Sequence, residues 1–498
     1  MTEKRTVFLI VLAILFIAAF LRFHSFSSYP PGLYPDEAMN GSNALEALRG
    51  ESGGFKAFYP ENNGREGLFI NIQALFLGFF LNFFAFPEPW MLRFPSALFG
   101  ILTVLGVFFL GRELSRKSGG SEREAAAIGA LSAFFIATSF WHINFSRIGF
   151  RAIMAPFFLA WGSYLLLRAE GALKKGAYAF PFLTAGAVYG LGMHSYIAYR
   201  ATPLLMLLAF WWMVSKNGWK PTFKAFGFFL IGSIIVTLPL IMYFTAHPAD
   251  FLGRTTQLSI FSSAEPFRDL SLNIAKTAQM FFFVGDGNAR HNLPGAPQLF
   301  PLVALLFAVG IVTGLATMFS RKKVDFMFTF LFAWLVVASL PVIISNEGLP
   351  HALRAILMIP AAYILAGFGG WRVWTTLLRR THPKIAYTFF PLLLLVVLFN
   401  AYYSYFVLWG ENKETRGAFA APYVEIANFM KALPRTIPKY VIVTAGGVDV
   451  RGLPVSAQTV MFLTDSFTRE EQSRKNIRYV LPSEGVPIPD SAAIFILR

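Results

Sequence analysis

Twelve stretches of this chain are apolar over about the 17–25 residues that a helix needs to cross a bilayer's hydrocarbon core. They fall near 6–22, 68–86, 91–111, 125–141, 152–168, 178–194, 201–215, 224–244, 299–319, 325–345, 352–371 and 385–409. No single soluble core accommodates so many, because soluble domains stop growing at roughly 250–300 residues. Of 498 residues, 55% are hydrophobic and 14% charged, and phenylalanine alone supplies 56. Ordinary soluble domains carry about twice that charge. A solely soluble enzyme, a disordered chain and a small disulfide scaffold are excluded. The chain reads as an all-α polytopic membrane protein.

The formal net charge is +16. In a soluble protein that balance would point to nucleic acid. In a membrane protein it reflects the excess of Lys and Arg in cytoplasmic loops, and no nucleic-acid partner is expected. Basic connections at Arg112–Arg123, Arg168–Lys175, Lys216–Lys224, Arg321–Lys323 and Arg372–Lys384 are assigned to the cytoplasm. The connections at 142–151, 195–200, 245–298 and 346–351 then lie outside, as does everything from residue 411 onward, with the N-terminus inside. The alternation fails across 68–111, where two full crossings would put Arg112–Arg123 on the wrong face. One of those two runs is expected to be short, tilted or juxtamembrane, interrupted at Pro87-Glu88-Pro89. Eleven crossings are expected, within a range of 11–13. The first run follows Lys4-Arg5 without a small-residue cleavage site, so it reads as an uncleaved first span rather than a signal peptide. The chain has no cysteine, which removes thiolate catalysis, cysteine-ligated zinc and disulfides.

Residues 1–410 form the expected transmembrane unit, with polar outer loops at 23–67 and 245–298. Residues 411–498 change in composition and read as a small extracytoplasmic α/β domain. A helix is expected near Ala421–Ala432, with β-like runs at Tyr440–Thr444, Ile477–Leu481 and Ala492–Leu497.

Ionisable residues at or within membrane spans are costly, so each is a candidate for function. Tyr34-Pro35-Asp36-Glu37-Ala38, before a helix-forming stretch to Leu48, has two readings. Asp36 and Glu37 either complement a helix N-terminus or form a reactive acidic pair. In Trp141-His142-Ile143-Asn144-Phe145-Ser146-Arg147-Ile148-Gly149-Phe150-Arg151, the two arginines are four apart. On one helical face they would suit a phosphate, which guanidinium grips with two parallel bonds; the alternative is snorkelling to headgroups. Further outer-side candidates are Arg65-Glu66, His194, Tyr196, Tyr199, Arg200, Arg290-His291, Glu347, His351 and Arg354. Mid-span acids are nearly absent, which argues for a site at the outer surface and against a proton-driven transporter. No phosphate-binding loop or dinucleotide fingerprint stands in a supporting context, and no nucleotide cofactor is expected.

The acidic pair after a first span, a long outer loop, many further spans and a C-terminal outer domain together resemble the GT-C membrane glycosyltransferases. The nearest likeness is to the bacterial protein O-mannosyltransferase-like and aminoarabinose-transferase-like branch, over most of 1–410. The resemblance implies an inverting transfer from a polyprenyl-phosphate sugar to a lipid, glycan or protein acceptor, in a bacterial-type cytoplasmic (inner) membrane, on its extracytoplasmic face. It implies Asp36 as the catalytic carboxylate, with Glu37 as its companion and, where a divalent cation such as Mg or Mn is used, its co-ligand. Arg65 stands where relatives place a basic residue before two prolines, which are missing here; Ala152-Ile153-Met154-Ala155-Pro156 lacks the acid that relatives carry before Met-Pro. Arg65, His142, Arg147, Arg151, His194, Tyr196, Arg200, Arg290, His291, Glu347, His351 and Arg354 are the expected donor-phosphate and substrate contacts. The alternatives are a lipid-linked sugar flippase and a glycan ligase.

Overall fold

The computed structural model describes residues 3–251, 260, 263–320, 325–346 and 348–498. The expected contact Glu347 and the basic connection Arg321–Lys323 lie outside the described residues.

The first span is α1 (Glu3–Phe23). The loop after it starts α2 (Pro35–Leu48), with proline in the first turn followed by Asp36 and Glu37. Proline's fixed φ suits that position and the acids suit the positive end of the helix. A two-stranded ribbon, β1 (Phe58–Tyr59) against β2 (Arg65–Glu66), closes the loop. α3 (Leu68–Phe80) is a helix of 13 residues, and α4 (Pro89–Lys117) begins beyond Pro87. α5 (Glu122–Ala137) and α6 (Phe140–Arg147) are bent by 59°. Ser139 sits at that break and caps α6 by accepting from the amide of His142. α7 (Met154–Leu173), α8 (Ala179–Leu191), α9 (Pro203–Asn217) and α10 (Trp219–Ala246) follow. Beyond them come helices Pro266–Gln279, Pro301–Ser320, Phe326–Ile343, Ile359–Arg380 and Pro383–Tyr402.

Among the described residues nine helices are long and apolar enough to cross a membrane, or ten with α5–α6 as one bent span. The twelve apolar stretches reduce to ten because two of them give helices of only 13 residues, at α3 and α8, against the eleven crossings expected. A short α3 is what the charge alternation required of 68–111. Without a hydrophobic drive between helices in lipid, close backbone approach through small residues holds spans together. A Cβ at Gly186 of α8 would lie 1.9 Å from the carbonyl oxygen of Phe229 in α10, and one at Gly369 would lie 1.9 Å from that of Leu306.

The C-terminal segment is a small α/β unit. A parallel sheet of order β6 (Ile477–Val480), β3 (Lys439–Val443), β7 (Ala493–Leu497) is flanked by helices Ala421–Ala432 and Gln458–Leu463 and by a hairpin, β4 (Asp449–Val450) with β5 (Leu453–Pro454). Its core runs on into the transmembrane part: Val441, Met461 and Phe462 pack in one cluster with Ala38 and Leu45 of α2, Ile70 of α3 and Leu92 of α4. The unit therefore rests on the helix whose N-terminus carries Asp36. Thr459 donates to the carbonyl of Leu33 at 2.9 Å, and Arg49 pairs with Asp465 at 2.7 Å and with Glu471.

Candidate functional site

Asp36 and Glu37 point in different directions. Glu37 is fully buried. Its Oε1 accepts from Arg93 Nε at 2.9 Å and from the amide of Gly149 at 2.7 Å, while Oε2 accepts from Arg93 at 3.1 Å and from the amide of Tyr34 at 3.3 Å. Both oxygens are committed to structure, and Glu37 lines neither cavity described below. Asp36 is half-buried and accepts one bond, from Asn62 Nδ2 at 2.8 Å. Asn62, Asn63 and Gly64 form the turn between β1 and β2, with φ of 51°, 64° and 75°. Asparagine tolerates that left-handed region better than most residues.

Asp36 lines two cavities at once, one of about 510 Å³ and a smaller one of about 100 Å³. Phe150, Tyr196 and Leu353 are the other residues common to both. The large cavity is lined by apolar Leu340, Pro341, Ile344 and Leu353 together with Arg200, Arg290, His291, His351 and Arg354. Arg290 lies over the ring of Tyr34 at 4.1 Å, and its carbonyl accepts from Asn144 Nδ2 at 2.8 Å. Burial, then the Asp36 charge, raises the Tyr34 phenol above its ordinary range. Arg354 donates to the hydroxyl of Ser345. The Arg200 guanidinium stacks on Phe251 at 4.2 Å and Phe244 at 5.3 Å. The small cavity is polar, lined by Asn40, Asn62, Asn63, Arg65 and Arg151. Buried Arg65 donates to Asn40 Oδ1 at 2.5 Å and Asn43 Oδ1 at 2.6 Å. Burial first, then the Arg151 charge, lowers its pKa to about 10. Glu66 ties the walls together, 2.7 Å from Arg151 Nε and 3.7 Å from Arg200.

Beside the large cavity, Asp286, His291 and His351 bring one donor atom each to within 4.8 Å of one another. Asp286 Oδ2 lies 3.1 Å from His291 Nδ1 and 4.0 Å from His351 Nδ1, and accepts from the amide of Ala352 at 2.8 Å. Burial leads in lowering both imidazoles below the usual histidine range, His351 to about 3, so both are neutral at pH 7. Burial pushes the Asp286 carboxyl up, but hydrogen bonds from His291 and the amides of Asn288 and Ala352 hold it below its ordinary value. Indole bonds fix this region against the spans: Trp141 Nε1 donates to Ala352 and Trp409 Nε1 to Ala289, at 3.0 and 2.7 Å.

The structure thus gathers Asp36, Arg65, Arg151, Tyr196, Arg200, Arg290, His291, His351 and Arg354 around the two cavities. It places three other expected contacts elsewhere. His142 is buried, with Nδ1 2.7 Å from Arg22. Arg147 is buried and donates to the carbonyls of Leu21, His24, Ser25 and Tyr29, clamping the end of α1. His194 bonds the Val236 carbonyl at 2.8 Å. Arg147 and Arg151 do not share a helical face, because α6 ends at Arg147 and Ile148 is extended. Sequence reasoning named Asn144 only as part of the Trp141–Arg151 cluster and assigned no role to Asp286, Asn62 or Asn40. The one available signal was the Gly-Asp-Gly-Asn-Ala-Arg-His run at 285–291 in a loop predicted to lie outside.

No protein-family model and no curated protein sequence matches the chain. Solved structures do match. ArnT from Cupriavidus metallidurans in the apo state is similar over 99% of this chain and 90% of its own, with a TM-score of 0.55 at 13% identity. The same protein bound to undecaprenyl phosphate gives 0.53 at 14% identity, over 96% of this chain and 90% of its own. The Archaeoglobus fulgidus oligosaccharyltransferase in the apo form is similar over 93% of this chain, with a TM-score of 0.55 at 14% identity. The chain spans 64% of that enzyme's length. The chain shares its fold with these two structures.

Proposed function

We propose that the chain is an integral-membrane glycosyltransferase that moves a sugar from a polyprenyl-phosphate-linked donor to an acceptor on the extracytoplasmic face, with inversion. The observation that carries this reading is the place of Asp36, a carboxylate between an apolar-walled, arginine-rimmed cavity and a smaller polar one. The large cavity suits the donor: Leu340, Pro341, Ile344 and Leu353 take the start of the isoprenoid chain, while Arg290, Arg354 and Arg200 face its phosphate. The small cavity suits the incoming acceptor group, with Arg65, Arg151 and Asn40 to orient it. A single displacement needs one carboxylate to take the acceptor's proton as its oxygen attacks the anomeric carbon. The bond to the phosphate oxygen breaks, and the charge left on polyprenyl phosphate falls among preorganised guanidinium groups. Asn62 orients Asp36, and Tyr34 carries Arg290. The bound undecaprenyl phosphate of ArnT supports a lipid phosphate as the ligand class.

A divalent cation is assigned to Asp286, His291 and His351 rather than to Asp36 and Glu37, whose second carboxylate is held by Arg93. Two neutral imidazoles and a carboxylate are a donor set that suits zinc and similar ions. The archaeal oligosaccharyltransferase has been solved with Zn and sulfate, at a TM-score of 0.52. An ion held there would supply positive charge beside the large cavity, the kind of electrostatic stabilisation a developing phosphate charge needs.

The test is transfer by the purified protein in lipid nanodiscs, using a panel of polyprenyl-phosphate sugars with candidate lipid, glycan and peptide acceptors. Sugar transfer accompanied by inverted anomeric configuration is expected; donors that bind and cross the bilayer unaltered would instead indicate a flippase.

A further inference from the structure

Arg451 ties the C-terminal unit to the loop that carries Asn62. Arg451 stands at the tip of the β4–β5 hairpin, where Arg451 and Gly452 both have positive φ, 54° and 88°. Tight hairpins demand that pair of conformations, and the first of them is uncommon for arginine. Non-glycine residues held there are strained and persist where the surroundings enforce them. The surroundings here are two carboxylates of the transmembrane part. Arg451 grips both oxygens of Glu46 in α2, at 2.7 and 3.0 Å, and its Nε donates to Glu61 at 2.6 Å. The guanidinium also lies over Phe467 at 4.5 Å.

Glu61 leads directly to Asp36. It precedes Asn62, the hydrogen-bond donor to Asp36, and its carbonyl accepts from the amide of Gly64 to close the left-handed turn. Its other carboxylate oxygen accepts from Asn43 at 2.8 Å, and Asn43 holds Arg65. Two strained turns, one from each part of the molecule, therefore meet at a single carboxylate.

We infer that Arg451 is a positioning residue for the transferase site: from the C-terminal unit it fixes Glu61, and through Glu61 the turn that aims Asn62 at Asp36 and the Asn43 that holds Arg65. The inference rests on the assignment of Asp36 above, but its structural half does not. Arg49 provides the internal control. It joins the same two parts, through Asp465 and Glu471, without touching the 58–66 ribbon. Loss of Arg49 therefore weakens docking alone, whereas loss of Arg451 weakens docking and releases the turn.

The experiment compares wild type, R451A, R451K and R49A in nanodiscs by hydrogen exchange across residues 58–66 and by sugar transfer from an active polyprenyl-phosphate donor. Faster exchange of 58–66 is expected in R451A and not in R49A. Transfer should fall about tenfold to a hundredfold in kcat for R451A, as small misplacements of catalytic groups do, with R49A within about twofold and part of the loss restored by R451K. Equal exchange of the ribbon in R451A and R49A would overturn the inference, as would faster exchange accompanied by unchanged transfer. Absence of transfer from wild type would count against the transferase reading, and the exchange comparison alone would then decide whether Arg451 holds the turn.

Discussion

Arg93 closes on Glu37 with two nitrogens, at 2.9 and 3.1 Å, and neither side chain is exposed at all. The same arginine donates to the carbonyls of Pro30 and Gly32 at 2.7 and 2.8 Å. Glu37 in turn receives the amides of Tyr34 and Gly149. One ion pair thus ties the first outer loop, the start of α2, α4 and the end of α6 together behind Asp36. Leaving one member of a buried pair without the other costs about 3–5 kcal/mol. Glu37→Ala should therefore lower the melting temperature sharply, and Arg93→Ala likewise. Thermal unfolding in detergent checks this; a Glu37→Ala protein that melts with wild type but has lost turnover would give Glu37 a chemical role instead.

The rim of the large cavity predicts a different response. Arg290 and Arg354 face the place assigned to the donor phosphate, so replacing either by Gln should raise the donor KM and lower kcat while leaving the fold intact. Hydrogen bonds to charged groups contribute about 1.5–3 kcal/mol each, or roughly ten- to a hundredfold in kcat/KM. Steady-state kinetics with donor varied at saturating acceptor separates the two parameters. Arg147→Gln should instead reduce stability, because its partners are backbone carbonyls at the end of α1.

Acid should loosen the Asp286–His291–His351 cluster. Both imidazoles have pKa values lowered in the folded protein, His351 to about 3. Free histidine titrates near 6.5, so between about pH 6.5 and 3 an opened state binds protons that the folded state refuses, and stability falls as pH falls through that window. His351→Gln removes one titrating group. Its melting temperature should depend less on pH between 7 and 5 than that of wild type, and an unchanged dependence would show that His351 is not the sensor.

The same three residues make a statement about metals. Zinc or a similar divalent ion should co-purify with wild type or bind after stripping, and His291→Ala and Asp286→Asn should each abolish it, while Glu37→Gln should not. Elemental analysis of the purified proteins reads this without an activity assay.

Much of the fold was written in local patterns. Apolar run lengths located most of the spans, and the charge conflict around Arg112–Arg123 singled out the region where α3 proved short. The start of α2 was legible because Pro35 and two acids precede a helix-forming stretch, whereas the role proposed for Asp36 came from the resemblance. What divides Asp36 from Glu37 is not local: Arg93 is 56 residues away, and nothing between them advertises the pair. The Arg147/Arg151 reading assumed a helix that stops at the first of the two. Asp286 finds the Ala352 amide across 66 residues, and Arg451 finds Glu46 across 405. Contacts of that range arise from packing, which pattern along the chain does not encode.

If Asp36 takes the acceptor's proton, a side chain of the same shape without basicity should stop the reaction. The comparison is release of polyprenyl phosphate by purified wild type and Asp36→Asn in nanodiscs with an active donor and acceptor. Asparagine keeps the shape and can still meet Asn62 but cannot accept a proton at neutral pH. Release should fall at least about a hundredfold, as for loss of a general base, with the melting temperature unchanged. Equal release by a folded Asp36→Asn protein would show that Asp36 is not the base and place that group elsewhere.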